Sequence, residues 1–128
     1  MIKCGKWRRS DIPQIAELIV LCWQEYDASK VHTRMKQNFQ QWLTKVFPEG
    51  VEHFVVARDA NGNLAGIAGL TPLKQPHVAE VHSVVVKAAL RGLGIGRRLM
   101  QAAIKCAISK SYRRIDLAGV KNPTAIKL

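Results

Sequence analysis

Three glycines, Gly92, Gly94 and Gly96, fall within five residues between a valine-rich segment and a run of helical periodicity. Glycine lets a main chain come close to a ligand. Successive N–H groups at a helix start form a positive cradle for phosphate oxygens. Arg91, Arg97 and Arg98 flank the loop and add charge-assisted contacts. The chemistry implied is recognition of a phosphate-bearing ligand. Two nucleotide folds fail on spacing. A P-loop needs GxxxxGK[ST], and no Lys-Ser/Thr pair follows these glycines. A dinucleotide loop needs GxGxxG with an acidic residue about 20 positions on; the pattern here is GxGxG. A plain glycine turn joining strand to helix is the alternative, although such a turn needs fewer glycines and no flanking arginines.

Other reactive constellations do not form. Cys4, Cys22 and Cys106, with His32, His53, His77 and His82, show no zinc spacing, so no metal is expected. There is no GxSxG elbow. Trp7, Trp23 and Trp42 suit core or helix-face packing better than base stacking. Charge is uneven. Residues 87–128 hold ten basic side chains and one acidic, +9 of the chain's +11. A polyanion is therefore favoured for the last third, with nucleic acid, a phosphorylated cofactor and an acidic protein all open at this point. A solvated basic face would look the same.

With 128 residues and 48% hydrophobic side chains, the chain reads as one domain spanning 1–128, with a core that needs neither disulfide nor metal. No apolar run approaches the roughly 20 residues of a membrane span. The opening MIKCGKWRRS lacks an apolar signal core. Three cysteines cannot all pair and form no CxxC, which suits a reduced, cytoplasmic setting.

The elements that must position the loop follow from periodicity. A first strand fits Ile2–Trp7. Ile12, Ile15, Ala16, Ile19, Cys22 and Trp23 share a helical face. Asp11 as N-cap with Gln14 three residues on makes a capping-box pattern, and Pro13 fits a first turn. A second helix covers Thr33–Val46. Strands at Val51–Arg58 and Leu64–Thr71 flank a turn, Asp59–Asn63, built on Asn61-Gly62. Val78–Lys87 is apolar on both faces, as a covered central strand is. A helix from Ile95 to about Lys110 buries Leu99, Ala102, Ala103, Cys106 and Ala107. A strand fits Arg113–Ala118. Asn122-Pro123 reads as a helix start that the chain leaves six residues later.

Arg91-Gly92-Leu93-Gly94-Ile95-Gly96 resembles the R/Q-x-x-G-x-G/A pyrophosphate loop of the GNAT superfamily of acyl-CoA N-acyltransferases. Ala79–Val86 looks like that family's fourth strand and Arg97–Lys110 like its third helix. Asn122–Leu128 is similar to the start of its N-x-x-A-x-x-L-Y segment. The resemblance implies an α/β (α+β) fold with a mixed, mostly antiparallel sheet, flanking helices, and the C-terminal strands missing. It implies acetyl-CoA as cosubstrate and no metal. The pantetheine arm would pair with Val84, Val85 and Val86. The diphosphate would sit on amides of Arg91, Gly92, Leu93, Gly94, Ile95, Gly96 and Arg97. Arg97 or Arg98 would meet the ribose phosphate, and Asn122 the pantetheine or its thiol end.

The implied reaction moves acetyl to a primary amine by direct attack. It needs a base, because only a neutral amine is nucleophilic. Glu80 and His82 are the candidates, and their spacing of two puts both on one face of a strand. Glu80 matches a position often acidic in the family. A salt bridge for Glu80, a satisfied sheet histidine for His82, and a water chain in place of either remain open. The family's general acid, a Tyr, would follow Leu128; Tyr26 and Tyr112 are poorly placed by position to replace it. Glu25, Asp27, Glu49 and Glu52 could form an acidic rim for the acceptor. A homo-oligomer, most simply a dimer, is expected from open sheet edges. The alternatives are a non-catalytic acetyl-CoA-binding or regulatory module and, with no recognisable motif behind it, a basic nucleic-acid-binding protein. No membrane partner is expected.

Overall fold

The computed structural model describes residues 1–48, 50, 52–118 and 125–128. The chain runs β1 (Lys3–Lys6), α1 (Ile12–Asp27), α2 (Met35–Val46), β2 (His53–Arg58), β3 (Leu64–Pro72), β4 (Val78–Val86), α3 (Ile95–Ser109), β5 (Arg114–Leu117) and β6 (Ala125–Lys127). The six strands form one sheet in sequence order. All neighbours are antiparallel except β4 and β5, which run parallel across the α3 crossover. Among the described residues no helix is long and apolar enough to cross a membrane.

Each face of the sheet carries its own core. Val55, Ala57, Ala68, Leu70, Ala79, Val81 and Ile115 pack against Ile95, Leu99, Ala103 and Ala107 of α3. On the other face, Phe54, Val56, Leu64, Ile67 and Val85 pack against Ile12, Ile15, Leu18 and Ile19 of α1 and Leu43 of α2. A strand covered on both sides has no polar face to show, which is why β4 reads as a valine run.

The phase of β4 changes midway. Val81 packs toward α3, yet Val85, four residues on, packs toward α1. Period-two alternation alone would keep both on one face. The pairing with β3 steps from Gly69↔His82 to Ile67↔Val85, so one extra residue is accommodated. Ser83 absorbs it with φ +51. That is a β-bulge, which bends the strand and re-aims the side chains beyond it.

The bend coincides with the end of the β4–β5 ladder. The register holds from Val78↔Arg114 to Val81↔Leu117, with one further bond from Ala118 N–H to the Val81 carbonyl. Beyond this, no described residue of β5 faces His82–Val86. The two parallel strands part, and among the described residues nothing pairs with that edge of β4 beyond Val81.

Two expectations change. Asp11 and Gln14 do not form a capping box. Asp11 is 3% exposed and holds Arg58 with both carboxylate oxygens while accepting from Arg8 N–H at 2.6 Å. The Gln14 side-chain carbonyl instead accepts from Leu64 N–H at 2.8 Å. A fully charged partner with bidentate geometry outcompetes a local cap. The helix expected from Asn122 is also corrected at its end. Ala125–Lys127 is a strand against β5, pairing Ile115↔Ile126. An unfinished edge offers β6 a ladder, whereas a helix of that length has little to stabilise it. Asn122 itself lies outside the described residues. The hairpin turn holds as expected: the Asp59 carboxylate accepts from the N–H groups of Asn61 and Asn63, and Gly62 takes φ +82.

Candidate active site

Two adjoining clefts open where β4 and β5 part. The first, about 510 Å³, is lined by Val84, Val85, Val86, Arg91, Gly92 and Gly94 together with Ile95 and Gly96. The second, about 590 Å³, is lined by Val81, His82, Ser83, Val84, Met100 and Leu117. Cys22 and Tyr26, from the C-terminal end of α1, border both. One continuous groove therefore runs from the glycine loop, along the open edge of β4, to the bulge.

The loop end is built for an anion. Gly94 takes φ +81 and ψ 9 as N-cap of α3, a left-handed conformation that a side chain would strain. No side chain caps this helix, and its first turn has no acidic residue. The first intrahelical bond comes from Arg98 N–H to the Gly94 carbonyl. The preceding amides thus remain available at the positive end of a 15-residue helix dipole. The open β4 edge beside them offers main-chain groups to an extended amide ligand, as an added strand would use them. Val84, on that edge, keeps 41% of its surface exposed.

The arginines divide in role. Arg91 donates from Nε to the Val86 carbonyl at 3.0 Å and is ion-paired to Glu25 of α1. It therefore braces the loop against both β4 and α1. Arg98 donates to the Ile2 carbonyl at 2.7 Å, tying α3 to the first strand. Arg97 is exposed and has no side-chain hydrogen bond among the described residues. Leu93 projects from the loop tip, 69% exposed, and with Arg97 lies outside the cleft lining.

The bulge end carries a polar network. His82 Nε2 lies 2.6 Å from Glu52 Oε1, and the Thr71 hydroxyl lies 2.7 Å from both Glu52 oxygens. His82 Nδ1 lies 3.1 Å from Ser83 Oγ. The imidazole covers Gly69 so closely that an added Cβ there would stand 2.4 Å from its Cε1. Phe54 meets the ring edge-on at 5.7 Å. Glu52, placed by sequence on an exposed rim, is in fact 5% exposed. Glu80 shares the His82 face, between Thr71 on β3 and Asp116 on β5, but does not line the groove. Glu49 of the expected rim is outside the described residues. Burial, and secondarily Glu25, pushes the Cys22 thiol above its ordinary value, so the groove wall holds a protonated thiol at neutral pH.

The structure thus brings together Val84–Val86, Gly92, Gly94, Ile95 and Gly96 on one cleft and His82 on the next. It adds Thr71 and Ser83, which sequence reasoning missed, and moves Glu52 from the expected acidic rim into contact with His82. Ser83 stood next to a candidate and was readable only through the bulge. Glu52 sits 30 residues from His82 and is brought to it by sheet register. Among the described residues no cluster of three potential metal ligands exists.

The comparisons agree with this geometry. An uncharacterized N-acetyltransferase of Methanocaldococcus jannaschii is 26% identical over 125 residues, covering 93% of this chain and 54% of its own length. The chain thus spans about half of that relative. The crystal structure of an N-acetyltransferase from Ralstonia eutropha superposes with a TM-score of 0.81 at 18% identity, covering 94% of this chain and 85% of that one. A predicted acetyltransferase from Clostridium acetobutylicum, solved with acetyl-CoA, gives 0.80 at 12% identity, covering 94% and 82%. Residues 12–128 match the family described as Acetyltransferase (GNAT). With its glycine loop, bulged fourth strand and parted sheet, the chain belongs to the GNAT family of acetyltransferases.

Proposed function

We propose that this protein is an N-acetyltransferase that moves the acetyl group of acetyl-CoA to a primary amine by direct attack. The observation that carries the reading is the single groove joining an uncapped helix N-terminus, an open strand edge and a buttressed histidine. The cosubstrate supplies a thioester carbonyl and a thiolate leaving group.

The residues divide the work by chemistry. Amides of Gly92–Arg97 hold the diphosphate, aided by the α3 dipole. Arg91 acts through its main chain, since its guanidinium is committed to Val86 and Glu25. With Arg98 committed to Ile2, Arg97 is the residue for the ribose phosphate. The Val84–Val86 edge pairs with the amide-bearing arm, and Asn122 serves its thiol end. His82 takes the proton of the attacking nitrogen as the N–C bond forms and the C–S bond breaks. Glu80, on the same face but off the groove, is the second candidate base. Glu25 and Asp27 at the end of α1 supply negative charge beside the acceptor entrance. The reading includes a cytoplasmic setting and a dimer formed through a sheet edge; a monomer in light scattering at micromolar concentration overturns the dimer.

A thermal-shift titration tests the core of the reading. Acetyl-CoA and CoA should raise the melting temperature in a concentration-dependent way. Thiol release with a panel of amines should then show turnover. Binding without turnover identifies a CoA-binding module instead. Absence of any shift, with DNA binding that falls steeply with salt, overturns both.

A further inference from the structure

The reaction as described leaves a buried carboxylate unused. Glu52 precedes β2 on the α1 side of the sheet, 5% exposed, and its oxygens meet only the Thr71 hydroxyl and His82 Nε2 among the described side chains. Thr71 Oγ1 has one proton and lies 2.7 Å from both carboxylate oxygens. It spends that proton on Glu52. The contacts of Nε2 are then a carboxylate at 2.6 Å and a hydroxyl oxygen at 2.8 Å, both acting as acceptors. In the singly protonated ring, the proton is therefore on Nε2. The lone pair lies on Nδ1, and the Ser83 hydroxyl, 3.1 Å away, donates to it.

Ser83 is the residue that absorbs the bulge. Its φ of +51 is a sparsely populated, strained backbone state for a serine. The strain places Ser83 and His82 together on the wall of the second cleft, where β4 loses its β5 partner. The order of groups is carboxylate, imidazole, hydroxyl, cleft. It matches in role, not in fold, the arrays that move a proton from a hydroxyl through a histidine steadied by an acid.

We propose that Ser83, His82 and Glu52 form a proton relay in which the Ser83 hydroxyl meets the acceptor nitrogen. This rests on the acetyltransferase reading. The attacking nitrogen gives a proton to Ser83 Oγ as the serine proton moves to His82 Nδ1, so the hydroxyl is regenerated. The N–C bond forms and the C–S bond breaks. The imidazolium stands against the Glu52 carboxylate until the departing thiolate recovers the proton along the same path. Ser83 is a catalytic residue; Glu52 is a positioning residue that fixes the tautomer and steadies the charged ring.

The test combines nitrogen NMR of the His82 ring with steady-state kinetics. The free protein should show the Nε2–H tautomer, and Glu52→Gln should give a mixture of tautomers. Ser83→Ala should lower kcat about 100-fold, the scale of a lost proton-transfer group, with the KM for acetyl-CoA unchanged. Ser83 sits half-exposed on the bulge, so this variant tests the relay even if Glu52→Gln folds poorly. An Nδ1–H ring in the wild type overturns the relay whatever the turnover. Full kcat in Ser83→Ala overturns it and leaves His82 acting alone. An acetyl adduct on Ser83 overturns it in favour of a covalent route. Absence of amine-dependent thiol release in the wild type is a separate failure, that of the parent reading.

Discussion

At the scale of single residues, the position of His82 is set by what it lies on. Its ring covers Gly69, where a side chain would collide with it at 2.4 Å. Gly69→Ala therefore removes the ring from the groove without altering any ionisable residue. It should cut turnover by about 100-fold, as loss of the base would, while the thermal shift with acetyl-CoA stays intact. Equal loss of turnover and of cosubstrate binding would show that the two ends of the groove are not separable. His53 makes a pH prediction. Burial first, then Lys110, lowers its pKa from the ordinary value. Between that lowered value and about 6.5 the unfolded chain binds the extra proton, so stability falls as pH drops through the window. His53→Gln should flatten this acid limb in melting curves taken from pH 8 down to pH 5. An unchanged slope would assign the acid sensitivity elsewhere.

At the scale of elements, α3 and its loop act as one part. Gly94 ends the loop in a left-handed conformation that only glycine adopts without strain. Gly94→Ala should cost about 1 kcal/mol of stability and should weaken acetyl-CoA binding more than it slows the chemistry. The measurement is a paired denaturation curve and binding isotherm; full binding in a destabilised variant would detach the loop from the ligand. This part was legible in the sequence because all its determinants are local: three glycines, a strand before, an amphipathic helix after. The hairpin at Asp59–Asn63 was legible for the same reason. The Asp11–Gln14 box was misread because Arg58 and Leu64 claim those side chains from about 50 residues away. Glu52 was legible only as a member of an acidic rim, because its burial beside His82 depends on three strands meeting in register. The C-terminal strand was misread because a short segment takes whatever partner the sheet edge provides.

At the scale of the whole molecule, the two helical layers have separate duties. One covers the sheet with α3 and brings the helix start to the groove; the other, α1 with α2, closes the face on which Glu52, Thr71, Glu80 and His82 lie. The chain's excess charge lies in its last third, which includes the glycine loop and α3. The contact that joins the sides is Arg91, which grips the end of β4 and Glu25 of α1 at once. An anion on the loop meets main-chain amides while this guanidinium stays with Val86 and Glu25, so the end of α1, where Cys22, Tyr26 and Glu25 border the groove, is held in place. The clasp serves both ends of the groove, so Glu25→Gln should weaken acetyl-CoA and amine together in binding isotherms; a loss confined to one would show that it serves a single end.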